Sequence, residues 1–160
     1  MAFLALALLL SVGYKLFYPL LGPQIDFPQT RRPREELRQF LSGNFVMIDR
    51  VQSLPQTVRN AFTEVGGIRS TMANRGERFE ATGVILTPGT PRRRLIFAGV
   101  YGDRSFVHYE HGGIAHSYEV EFFKLLPTNS MEPVWRGDCG QASDLSNLRD
   151  RLERGDCQSQ

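Results

Sequence analysis

The residues with the most chemical potential lie close together. His108, His111 and His116 are the three histidines of the chain, and they are interleaved with Glu110, Glu119 and Glu121. Imidazole nitrogens and carboxylates at this density are what a transition-metal site or a general acid–base pair requires. Gly112-Gly113 reads as a two-residue hairpin loop, which pairs His111 with Ile114, Tyr109 with His116 and Val107 with Tyr118. On that register one face carries Val107, Tyr109, His111, Ile114, His116, Tyr118, Val120 and Phe122. The other carries Phe106, His108, Glu110, Ala115, Ser117, Glu119, Glu121 and Phe123. The first face is expected to meet a helix and the second to meet solvent. His108 is thereby parted from the other two. His111 and His116 remain diagonal neighbours near the hairpin tip and are the metal candidates. A zinc ion would need a further ligand, and that face offers no Asp or Glu. The preferred reading makes both histidines rim residues beside Tyr109 and Tyr118, with no catalytic or cofactor-binding residue assigned.

Nucleophilic chemistry finds less support. There is no G-x-S-x-G, and Ser105 and Ser117 have histidines nearby in sequence but no orienting carboxylate that spacing can identify. Gly66-Gly67 follows a helix and so does not form a phosphate-binding turn. Glu110 with Glu119 or Glu121 has the composition of an acid–base pair, but alternating carboxylates on an exposed strand face are expected to serve solubility.

Cys139 and Cys157 are the only cysteines, and they bracket one short helix. Ser143 or Asp144 can cap it, Leu145, Leu148 and Leu152 form its apolar stripe, and Gly155 ends it. The segment from Cys139 to Ser143 is long enough to double back along the helix, so a Cys139–Cys157 disulfide is expected. No C-x-x-C pair is present, and no histidine stands near enough in sequence to suggest zinc.

The elements that must hold these residues follow from periodicity. Pro33 opens a short helix with Leu37, Phe40 and Leu41 on one side and Gly43 at its end. Residues 45–51 read as a strand or a continuation. The main helix is expected from Pro55, with Val58, Ala61, Phe62 and Val65 at helical spacing. The period then changes to two, which predicts strands over 79–86, 95–101, 105–111 and 114–125, with Val134-Trp135 adding a short fifth. The expected fold is therefore α+β: one main helix packed on a four- to five-stranded antiparallel meander, preceded by an N-terminal transmembrane or signal helix and followed by a short C-terminal helix.

Placement comes from the first segment. Residues 1–22 are apolar but for Ser11 and Lys15 and would span about 31 Å as a helix, a bilayer's hydrocarbon thickness. They read as an uncleaved membrane anchor or a signal segment. Residues 23–32 form a Pro-rich linker, 33–138 the α+β domain, and 139–160 the C-terminal helix with its cross-link. Arg31, Arg32 and Arg34 after the apolar run favour a cytoplasmic domain, whereas a cysteine bridge favours oxidising surroundings and decides for the inner membrane with the domain facing the periplasm. Cleavage would instead release it into the periplasm. Of the 19 basic residues 17 are Arg, yet they are scattered and the net charge is only +2, so no nucleic-acid partner is expected. The function expected is a membrane-tethered periplasmic module of a bacterial envelope that binds a protein partner, an immunity or inhibitor protein being one version. The alternative is a small metal-binding or hydrolytic domain using the His111/His116 hairpin.

Overall fold

A computed structural model describes residues 34–62, 72–82 and 89–160. The anchor and linker expected over 1–32 lie outside them, as do Val65, Gly66-Gly67 and residues 83–86 of the strand expected over 79–86. No helix among the described residues is long and apolar enough to cross a membrane.

Seven strands dominate the described residues, joined in one largely antiparallel sheet: β1 (Val46–Ile48), β2 (Met72–Ala73), β3 (Arg93–Tyr101), β4 (Arg104–His111), β5 (Ser117–Leu126), β6 (Ser130–Asp138) and β7 (Gln158–Ser159). Their order is β1-β3-β4-β5-β6-β7, with β2 paired to β3 in parallel. Among the described residues three α-helices accompany them: α1 (Arg34–Phe40), α2 (Gln56–Ala61) and α3 (Leu145–Arg154). This corrects the expected fold, since among the described residues no main helix packs on the sheet. The segment expected to supply one gives only the six residues of α2, where Val58 is the single buried side chain and Thr57 and Asn60 are weak helix formers. Phe62 enters the core from beyond the helix end. The expected strand over 79–86 is also absent from 79–81; an isolated bridge joins Thr82 to Gly113. Val134-Trp135, expected to be a short addition, lies inside a nine-residue strand.

Both faces of the sheet are buried, by different segments. On the first, Leu37 and Leu41 from the α1 region and Leu148 and Leu152 from α3 pack on Phe97, Phe106, Val120, Phe122 and Trp135. On the second, Val51, Leu54, Val58, Phe62 and Met72 pack on Leu95, Ala98, Val107, Tyr109 and Phe123. Burial of each large apolar side chain contributes about 1.5–3 kcal/mol. The helix between the cysteines follows its sequence closely: the Asp144 carboxylate accepts from the Asn147 N–H at 2.9 Å, and Gly155 closes the helix in the left-handed region at φ 80°. Cys139 and Cys157 are bonded, 18 residues apart.

One register decides the chemistry. His111 pairs with Ser117, not with Ile114, so residues 112–116 form a longer connection than a two-residue turn. Gly112 and Gly113 are engaged sideways: the Gly112 N–H donates to Arg92 O at 2.8 Å, and the Gly113 N–H to Ala81 O at 3.4 Å. The pairing is displaced by an odd number of residues, which turns every β5 side chain to the opposite face relative to β4.

Candidate functional site

With β5 turned over, Glu119 and Glu121 lie on the second face beside Tyr109 and His111. Both carboxylates are buried, at 2% and 4% exposure, although the sequence reading placed them in solvent. β4 supplies Tyr109 and His111, β5 supplies Ser117, Glu119 and Glu121, and Arg136 reaches in from β6. Register sets the partners, since Tyr109 pairs with Glu119 and Glu121 with Arg136 across neighbouring strands.

Glu119 is the hub. Its Oε1 lies 2.7 Å from His111 Nδ1 and accepts from Ser117 Oγ at 3.1 Å. Its Oε2 accepts from the Tyr109 hydroxyl at 2.8 Å, from Arg136 Nε at 2.8 Å and from Arg136 Nη2. Burial opposes its ionisation, but the hydrogen bond from His111, the Arg136 charge and the Tyr109 hydroxyl outweigh it and hold this carboxyl at about 2. Glu121 differs in environment. Its Oε1 is 2.5 Å from the same Tyr109 hydroxyl and 3.7 Å from Arg136 Nε. Burial pushes its carboxyl above the ordinary value, offset in part by Tyr109 and Arg136. A tyrosine hydroxyl carries one hydrogen, and here two carboxyl groups approach it. A proton on Glu121 lets the acid donate to Tyr109 while Tyr109 donates to ionised Glu119, which satisfies all three groups.

His111 stands at the edge of this network, with 32% of its side chain exposed. When Nδ1–H donates to Glu119, Nε2 keeps its lone pair, and Nε2 has no partner among the described residues. Arg93, directly across the strands from His111, lays its guanidinium over Phe62 and Tyr109 at 5.7 and 5.8 Å from the ring centroids.

The two metal candidates do not meet on one ligand set. His116 Nε2 lies 3.2 Å from Glu110 Oε2, and Glu110 also accepts from Arg94 at 2.7 Å. His111 turns instead to Glu119. Among the described residues no three His, Cys, Asp or Glu side chains are grouped to hold a metal ion. His108 is separate again, buried on the first face. Its Nδ1–H donates to Glu119 O at 3.0 Å, and its Nε2 accepts from the Ala142 N–H at 3.1 Å. Burial lowers its pKa to about 4, so it is a neutral structural link between β5 and the approach to α3. Ser117 does have a carboxylate partner, which spacing could not identify, but that partner is shared with His111 and not relayed through it. Arg93 and Arg136 were missed entirely. The available signal was the alternation of charges on facing strands, Glu121 against Arg136, which becomes readable only with the register in hand.

No family model, curated protein or solved structure matches the chain.

Proposed function

We propose that the domain binds a small molecule on the second face of its sheet and performs acid–base chemistry on it. His111 is the catalytic base through Nε2, Glu119 is its positioning residue, Arg136 and Tyr109 fix Glu119, and Glu121 is a neutral acid behind Tyr109. The observation that carries the reading is the 2.7 Å contact between His111 Nδ1 and a buried carboxylate, itself held by four other donors. A carboxylate on one ring nitrogen selects the tautomer and aims the other nitrogen outward. Cost supports the same reading. Burying charged groups forfeits several kcal/mol per ion, and apolar side chains of similar volume would hold the sheet at least as well. Perturbed carboxyls beside a half-exposed histidine are a pattern of functional sites.

The test is a small-molecule library screened by NMR against the full chain. Hits should shift His111 and Arg136 and disappear in Glu119→Gln while the fold persists. Hits that scatter over the surface, or that survive the substitution unchanged, would overturn it.

A second reading keeps the envelope module that binds a protein partner. It is favoured by exposed Val46, Met47 and Tyr101, which line a groove of about 600 Å³ along β1, the outermost strand of the described sheet. Residues 1–22 and the cystine support an inner-membrane tether with the domain in the periplasm. Thiol labelling of intact cells should find both cysteines unreactive before reduction, and pull-down from solubilised membranes should return a stoichiometric protein. Free thiols in a soluble fraction would sink the placement.

A further inference from the structure

The half-buried arginines differ in one respect. Arg59, Arg94, Arg104, Arg136, Arg149 and Arg151 each donate to a carbonyl or side-chain oxygen. Arg93 donates to none among the described residues, and its guanidinium rests on the rings of Phe62 and Tyr109. A guanidinium carries five N–H donors in a planar fork and never loses its charge, and stacking leaves its edge without an acceptor among the described residues. Around it, Glu119 is occupied by Arg136, and Glu121 shares the Tyr109 hydroxyl with Glu119 and lies beside Arg136 Nε. Two arginines therefore adjoin two carboxyl groups that share a single tyrosine hydroxyl, next to the open nitrogen of His111.

From this geometry we infer that the molecule taken by the site carries an anionic group, a carboxylate or a phosphate, and that the fork of Arg93 binds it while the rest of the molecule reaches His111. The inference rests on the small-molecule reading above and adds the chemical class of the ligand. Stacking fixes the plane of the guanidinium, so an oxyanion meets a preset bidentate donor. Arg93 is then a binding residue, distinct from the positioning role of Glu119.

Inorganic phosphate and acetate are the probes, each titrated into the full chain and followed by calorimetry and by the side-chain Nε resonance of Arg93. The expected result is saturable binding that shifts Arg93 Nε and weakens by about tenfold or more in Arg93→Gln, which removes the bidentate charged donor. Arg92→Gln, which removes an exposed neighbouring charge, should leave affinity unchanged. Which probe binds more tightly distinguishes carboxylate from phosphate. Binding of neither probe, equal affinity in Arg93→Gln, or equal loss in Arg92→Gln would overturn the inference, the last two by marking an adventitious ion only. Should Arg93→Gln fail to fold, Arg93→Lys keeps the charge without the fork, and the wild-type Nε shift still decides. If library compounds still shift His111 but no anion engages Arg93, this inference fails alone; if they bind elsewhere, the earlier reading fails.

Discussion

Glu119 and Glu121, two residues apart on one face of β5, reach the same Tyr109 hydroxyl at 2.8 and 2.5 Å and differ in what else they touch. Glu119 is surrounded by donors and stays ionised; Glu121 has fewer donors, and burial pushes its carboxyl above the ordinary value. The pair should therefore respond oppositely to the same conservative change. Glu121→Gln preserves a neutral planar group that can donate to Tyr109 and should cost under about 1 kcal/mol. Glu119→Gln leaves the Arg136 charge without its partner and should cost about 3 kcal/mol. Urea unfolding of the two variants checks this. Equal costs, or the reverse order, would show that the proton does not reside on Glu121.

Acid should loosen the fold in two steps. His108 sits at about 4 in the folded chain against an ordinary value of 6.5, because burial disfavours its charged form. Its pKa is depressed, so the unfolded chain binds more protons between those values. The stability it contributes is present above pH 6.5 and is lost as pH falls toward 4, on the order of 3 kcal/mol in all. Glu119, held at about 2 against 4.5, acts in the same direction lower down, losing its contribution between pH 4.5 and 2. Glu121, raised by burial, opposes it, since its contribution is present below 4.5 and lost as pH rises through its folded value. Unfolding free energy measured from pH 8 to 4 should slope downward, and His108→Gln should flatten that slope between 6.5 and 4. An unchanged slope in the variant would remove His108 from the account.

The Cys139–Cys157 bond ties α3 and β7 to β6 across a loop of 18 residues. Closing such a loop restricts the unfolded chain by about 3 kcal/mol. Reduction, or Cys157→Ser, should lower unfolding free energy by about that amount. The β6–β7 pair should suffer first, because Trp135 Nε1 donates to Ser159 Oγ at 3.0 Å in the strand that the bond holds down. Hydrogen exchange at Ser159 and Trp135 reads this directly. Protection that survives reduction would mean that β7 docks without the bond.

Local signals in the sequence were read correctly where they were chemically specific. The Asp144 cap, the Gly155 terminus, the leucine stripe between them and the cystine follow from residue types whose backbone preferences are narrow. Strands β3, β4 and β5 were legible because their apolar runs and turns alternate at strand spacing, whereas of the nine-residue β6 only Val134-Trp135 was expected. The site was not. With both faces of the sheet covered, the alternation on β5 has no solvent side to point to, and adjacent Phe122 and Phe123 satisfy either face. A two-residue glycine turn then looked decisive, and it sent Glu119 and Glu121 to the wrong side. Within the described residues the expected main helix fails for a related reason: Val58 and Phe62 are both buried at helical spacing, but Phe62 reaches the core from beyond the end of the helix.

What the glycines at the hairpin do instead gives a final prediction. Gly112 lies against the backbone of the neighbouring segment, and an added Cβ would come within 1.8 Å of Glu80 O and 2.8 Å of Ala81 Cα. Backbone atoms held by the Glu80 N–H to Pro91 O bond at 2.8 Å cannot give way by side-chain rotation. Gly112→Ala must therefore separate the 80–82 segment from the hairpin or distort the turn, and should cost about 1–3 kcal/mol. The damage should be asymmetric. The contact between the Phe79 ring and Arg94, 4.3 Å from its centroid, should weaken, and so should the Glu110–His116 pair beside it, whereas α3, held on the sheet by Leu148 and Leu152, should be unaffected. Gly113, with open space where its Cβ would stand, meets no such obstruction. If both glycines served only to turn the chain, Gly112→Ala would leave the 80–82 amides protected in hydrogen exchange. Their loss of protection in Gly112→Ala, with α3 amides unchanged, is the outcome expected from a glycine kept for close backbone approach.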